Sequence, residues 1–187
     1  MRASSEFLAT LVLVLVSVSS VAHGDPLVPA LIIFGDSVVD VGNNNNLNTL
    51  IKSNFPPYGR DFVNHRPTGR FCKWKTCYRF HCFFILACTA EYLGFTSYPP
   101  AYLSGDAIGN ALLTGANFAS AASGLYDSTA NLYRAITLTQ QLNYYREYQT
   151  KLVNMAGNNG ASNIISGAIH LLSAGSSDYI QNYYINP

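Results

Sequence analysis

Short unbroken apolar runs alternate along this chain with longer, spaced hydrophobic patterns. Ala30-Leu31-Ile32-Ile33 is continuous, leads through Phe34 into Gly35 and is too short for a typical helix, so it predicts a parallel strand buried on both faces. Ala90-Glu91-Tyr92-Leu93-Gly94 predicts a helix end with its glycine at C′. Thr114-Gly115-Ala116-Asn117-Phe118-Ala119-Ser120 reads as a strand followed by a turn towards Gly124. From Thr137 to Val153, Leu138, Leu142, Tyr145 and Leu152 recur at the spacing of one helix face, and Gly157 is expected to stop that helix. Ser162 is the expected cap of a second helix running towards Ile169, and Leu171-Leu172-Ser173-Ala174 is the next expected buried strand. Strands alternating with helical patterns predict an α/β fold on a parallel sheet. The stretches around Asn43–Asn46, Phe55-Pro56-Pro57-Tyr58-Gly59 and Tyr98-Pro99-Pro100 read as loops, and neither an internal repeat nor an interdomain linker is visible.

The N-terminus carries a different pattern. Arg2 precedes an apolar stretch from Phe7 to Val18, followed by small residues and Ala22-His23-Gly24. A basic start, an apolar centre and a small-x-small end predict a secretory signal peptide over residues 1–24, cut after Gly24. The run falls short of the roughly 20 apolar residues that a bilayer requires, so a membrane span is not expected. The mature product, 25–187, is expected to be one soluble domain, secreted or extracellular.

A chain of 187 residues with 49% apolar content can bury a real core. With a net charge of +1 and 11% charged residues it has no electrostatic footprint for nucleic acid or an acidic membrane surface. Thirteen tyrosines and ten phenylalanines suit either core packing or a cleft for an apolar or aromatic acyl group. No Asn-x-Ser/Thr sequon occurs. Cys72, Cys77, Cys82 and Cys88 lie in one short segment; in a secreted chain they would allow three disulfide connectivities, and a zinc site with His81 fails for want of a Cys-x-x-Cys pair.

The candidate chemistry sits at the end of the first strand. A serine on the turn leaving a buried parallel strand is held at the sheet's carboxyl edge, where open α/β sheets bind ligands. Phe34-Gly35-Asp36-Ser37 places Ser37 there, and Val39 in place of a second glycine excludes the Gly-x-Ser-x-Gly elbow. The block Ile33-Phe34-Gly35-Asp36-Ser37-Val38-Val39-Asp40-Val41-Gly42-Asn43-Asn44-Asn45 resembles the first block of the plant GDSL esterase/lipase family, within the wider SGNH hydrolases. Pro56, Tyr58, Gly59 and Arg66-Pro67-Thr68-Gly69-Arg70-Phe71 match the same family.

That resemblance implies a flavodoxin-like, three-layer α/β fold with a parallel sheet and flanking helices. It also implies hydrolysis of lipid or other acyl esters, small-molecule substrates, and no cofactor or metal. Ser37 matches the nucleophile and supplies the first oxyanion N–H, and Gly124 looks like the second donor. Gly175-Ser176-Ser177-Asp178 stands where the family has Gly-x-Asn-Asp, so Ser177 replaces the asparagine donor. A hydroxyl donates one hydrogen bond but is shorter than an amide; losing one such donor removes roughly 3 kcal/mol of transition-state stabilisation.

The family's Asp-x-x-His, source of the base and its orienting carboxylate, occurs nowhere in these residues, and His65 and His170 lie outside any such motif. The sequence therefore reads as a C-terminally truncated member. A serine esterase is the leading expectation, and a non-catalytic remnant that at most binds an ester or a partner is the alternative.

Between Phe71 and Thr89 the resemblance stops and then resumes at Ala90. Lys73-Trp74-Lys75-Thr76-Cys77-Tyr78-Arg79-Phe80-His81 can be encoded so that reading one base later gives Asn-Gly-Lys-Leu-Ala-Thr-Asp-Phe, which fits the family. Residues 73–88 therefore read as a frame-shifted exon followed by translated intron, which also accounts for the clustered cysteines. A spliced transcript encoding this segment unchanged would overturn that reading.

Overall fold

The computed structural model describes residues 25–60, 62, 64–71 and 89–184. The expected signal peptide, the four cysteines and the 73–88 segment lie outside the described residues.

Among the described residues, three parallel strands form the sheet: β1 (Leu31–Gly35), β2 (Gly115–Asn117) and β3 (Ile169–Ser173), in the order β2-β1-β3. β1 is buried along its whole length, as its unbroken apolar run predicts. Its alternate side chains supply two cores. Leu31 and Ile33 pack with Val39, Val41, Ala90, Phe95, Ala101 and Ala119. Ile32 and Phe34 pack with Ala116, Phe118, Leu112, Tyr148 and Leu152, with Phe34 stacked on Phe118 at 5.3 Å between ring centroids.

After β2 the chain forms the short helix α1 (Asp127–Leu132) and the long helix α2 (Leu138–Gly167). Thr137 caps α2, its side chain accepting the Gln140 N–H at 3.0 Å. Gly157, at φ 72° and ψ 171°, breaks α2 in two, as the sequence predicts. The helix resumes immediately beyond it, so Ser162 lies inside the second half rather than capping it. The buried face also differs from expectation. Leu142 is 45% exposed, while Gln141, Tyr148 and Leu152 are buried, with Leu138 and Tyr145 packed beside them.

β3 begins at Ile169, where the second helix was expected to run, and ends before Ala174. It is half-buried rather than buried. Ile169 and Leu171 pack on the Leu31 face, but Leu172, on the face that α2 covers over β1 and β2, stays 57% exposed. Ala90 to Gly94 ends as predicted: Gly94 has φ +81°, and the Gly94 and Phe95 N–H groups close onto Glu91 O and Ala90 O. Among the described residues, no helix is long and apolar enough to cross a membrane.

β1 is flanked by β2 on one side and β3 on the other, so successive crossovers go to opposite sides of it. Its carboxyl end is therefore the crevice position of an open parallel sheet.

Candidate active site

Ser37 lies on the turn that leaves β1 at that crevice and is half-buried. The turn is built from two residues ahead of it. Gly35 has φ +139°, and a methyl group there would run into the Ser173 carbonyl on β3, so only glycine fits. The Asp36 N–H donates to Ser173 O at 2.9 Å, keeping the ladder for one more residue. Asp36 then folds the chain over: its Oδ1 accepts the Val38 N–H at 3.0 Å and its main-chain oxygen accepts the Asp40 N–H at 3.1 Å. Its Oδ2 accepts the Ser176 hydroxyl at 2.7 Å, tying this turn to the one after β3.

The segment after β2 runs alongside. The Phe118 and Ser120 N–H groups donate to Ile33 O and Gly35 O, and the Ser123 N–H returns to Ser120 O at 3.0 Å. Ala122 adopts φ +70°, an uncommon left-handed conformation for a residue with a side chain. Gly124, buried, lies against the Asp178 carboxylate so closely that a Cβ would collide with it. Asp178 accepts the Leu125 N–H at 2.7 Å, the Tyr126 N–H at 3.3 Å and the Thr129 hydroxyl at 2.7 Å. Ser177, 4% exposed, sits between Ser176 and Asp178. The segments carrying Ser37, Gly124 and Ser177 are thus drawn together at one end of the sheet by two carboxylates, Asp36 and Asp178. Beside them is a cavity of about 680 Å³ lined by Leu125, Tyr126, Gly175, Asp178, Tyr179, Asn182 and Tyr183.

The two described histidines are engaged elsewhere. His65 bonds Arg60 O through Nδ1 at 2.7 Å. His170 pairs with Ile32 in the ladder and bonds the Tyr145 hydroxyl at 3.0 Å. It stands three residues short of the end of β3, which is roughly 10 Å of strand below the carboxyl edge.

Beneath the Ser37 turn lies a polar layer that a reading of Asn43–Asn46 as a plain loop misses. Asp40, Asn43, Asn44, Asn117 and Ser120 are all buried. Asp40 accepts the Gly42 and Asn43 N–H groups on Oδ1 and the Ala121 N–H on Oδ2, at 2.7 to 2.9 Å. Burial nonetheless pushes its carboxyl up to about 6, with those three N–H groups pulling the other way. The Asn43 amide donates to Asn117 O and Ala119 O, and the Asn44 amide to Ile51 O and Ala121 O. Asn117 reaches back to Val39 O at 2.7 Å. Every one of these bonds joins the loop after β1 to another segment or closes it on itself, so the turn bearing Ser37 rests on a fixed floor. Gln141, equally unforeseen, holds Gly35 from the helix side.

The chain is 63% identical over 169 residues to GDSL esterase/lipase At5g03820 of Arabidopsis thaliana, covering 90% of this chain and 46% of that protein. It is 56% identical over 176 residues to GDSL esterase/lipase At3g53100 of the same plant, covering 94% of this chain and 48% of that one. With GDSL esterase/lipase APG, also from Arabidopsis thaliana, it shares 55% identity over 186 residues, the whole of this chain and 50% of the relative. The chain spans about half the length of the curated relatives it matches. No protein-family model matches it, and no solved structure matches it.

Proposed function

The chain belongs to the plant GDSL esterase/lipase family, and on that premise we propose that it carries the nucleophile half of a serine ester hydrolase of SGNH architecture. The substrates are lipid or other acyl esters. The observation that carries this reading is the joining of the Ser37 turn to the Gly124 and Ser177 segments through Asp36 and Asp178.

Serine ester hydrolysis needs a deprotonated hydroxyl and preorganised donors for the oxyanion. In this reading Ser37 Oγ attacks the ester carbonyl, and the oxyanion is met by the Ser37 N–H, the Gly124 N–H and the Ser177 hydroxyl. The apolar and tyrosine-lined cavity beside Gly175 and Asp178 suits the acyl or aryl part of the ester. A base must take the Ser37 proton, and among the described residues the two histidines, His65 and His170, are both committed to other partners. That commitment favours the second reading, a non-catalytic chain that binds an ester without turning it over. The chain is further proposed to be secreted, with its signal peptide removed after Gly24.

Hydrolysis of a short p-nitrophenyl ester by the 187-residue chain, with Ser37→Ala beside it, separates the two. Turnover lost in Ser37→Ala supports the hydrolase. Binding of the ester without Ser37-dependent release of p-nitrophenol supports the non-catalytic chain.

A further inference from the structure

One polar side chain stands in the buried face of α2 where packing alone would accept a leucine. Gln141 is fully buried. Its Oε1 accepts the Gly35 N–H at 2.9 Å, and its Nε2 donates to Gly35 O at 2.9 Å and to Ser123 Oγ at 3.0 Å. The register explains why an amide is needed. β2 pairs with β1 only as far as Ile33 opposite Asn117, so Gly35 has run beyond the last residue of β2. On that side its N–H has no strand to meet, and burial demands a partner. Gln141 supplies the missing acceptor, and its Nε2 adds a second donor to Gly35 O beside the Ser120 N–H, which bonds it at 3.0 Å.

We propose that Gln141 is a positioning residue that locks the Gly35 peptide, two residues ahead of Ser37, to Ser123, the residue ahead of Gly124. Both ends of this link carry special backbone: Gly35 at φ +139°, a conformation open to glycine, and Ala122, next to Ser123, at φ +70°, uncommon for a residue with a side chain. The lock sets the distance and angle between the attacking hydroxyl and the oxyanion glycine. Its catalytic consequence rests on the reading of Ser37 as nucleophile; the lock itself does not.

The experiment compares the whole chain with Gln141→Leu and Gln141→Glu by amide hydrogen exchange and by the rate of Ser37 phosphonylation with an alkyl fluorophosphonate. In Gln141→Leu, Gly35 exchange should accelerate about tenfold or more, the loss of one net hydrogen bond, while Ile32 and Ile33 change far less. The phosphonylation rate constant should fall by a similar factor with the labelled fraction unchanged. A residue that merely supports the fold would lower the labelled fraction and speed exchange evenly along β1. Should Gln141→Leu not fold, Gln141→Glu decides: held neutral by burial, it retains the acceptor for the Gly35 N–H and has one O–H in place of the two N–H donations, so Gly35 stays protected while residues 121–124 loosen. Even exchange along β1, or an unchanged labelling rate constant in a variant with loosened Gly35, overturns the proposal. An unreactive wild-type chain would instead support the non-catalytic reading, and exchange at Gly35 and 121–124 alone would then uphold or overturn the lock.

Discussion

Asp40 shows how a single side chain can make the site sensitive to pH. Its carboxyl is about 6 in the fold against 3.8 when unperturbed, because burial opposes the charge more than the Gly42, Ala121 and Asn43 N–H groups favour it. The folded chain therefore binds this proton more tightly than the unfolded chain does. Its contribution to stability is fully present below about pH 4 and is lost as pH rises from about 4 to about 6; above that it is level. Two pKa units correspond to about 3 kcal/mol at most. We expect the difference in melting temperature between wild type and Asp40→Asn to change across this window and to flatten above it. Thermal melts at intervals from pH 4 to 7 measure that difference directly, and a constant difference would show that Asp40 keeps an ordinary pKa. Gly35, two residues ahead of Ser37, makes a separate demand on the same turn. In Gly35→Ala the methyl group meets Ser173 O and the backbone sits at φ +139°, so the loss should be about 3 kcal/mol or more, read from the urea midpoint.

Among the elements, α2 gives the contrasting case. Gly157 breaks the helix at φ 72° and ψ 171°, yet a Cβ there would meet nothing within 4 Å. The penalty for Gly157→Ala is then backbone strain alone, about 1–3 kcal/mol. A urea midpoint that falls in Gly157→Ala, with less loss than in Gly35→Ala, would separate strain from collision. The break itself was legible because glycine marks it locally, and β1 was legible because a strand buried on both faces has no polar position to confuse it. Gln141 was not legible. Periodicity counts apolar residues, so it favours Leu142 as the inward position, whereas the groups that draw Gln141 inward, on Gly35, are 106 residues away. Asn43 and Asn44 were hidden for the same reason: composition reads asparagines as loop, and their carbonyl partners lie as far as 77 residues along the chain. Ser162 failed as a cap because helix resumed without one after Gly157. The segment positions of Ser37, Gly124 and Ser177 could be read from motifs, but the carboxylate ties that gather them could not.

For the molecule as a whole, the decisive surface is around β3. Among the described residues β3 has a neighbour only on its β1 side, so its outer edge presents unpaired backbone groups. Leu172 on this strand is 57% exposed, and Tyr179, Ile180, Tyr183 and Tyr184 just beyond it are 64%, 67%, 66% and 72% exposed. An open parallel edge with exposed apolar and tyrosine side chains on and just beyond it is a template for pairing with a second chain. The net charge of +1 adds little repulsion to prevent it. We therefore expect the isolated chain to self-associate, with sedimentation velocity showing species that grow with concentration. Leu172→Lys places a charge on the edge strand without touching the Leu31 core or the three segments of the site. It should shift the distribution towards monomer while leaving Ser37 labelling at the wild-type rate constant. If association instead arises from the tyrosines beyond β3, Leu172→Lys will leave the distribution unchanged and Tyr179→Ser with Tyr183→Ser will shift it. A wild-type sample that is monodisperse at every concentration and melts cooperatively would mean that this edge is already protected, and the edge argument would fail.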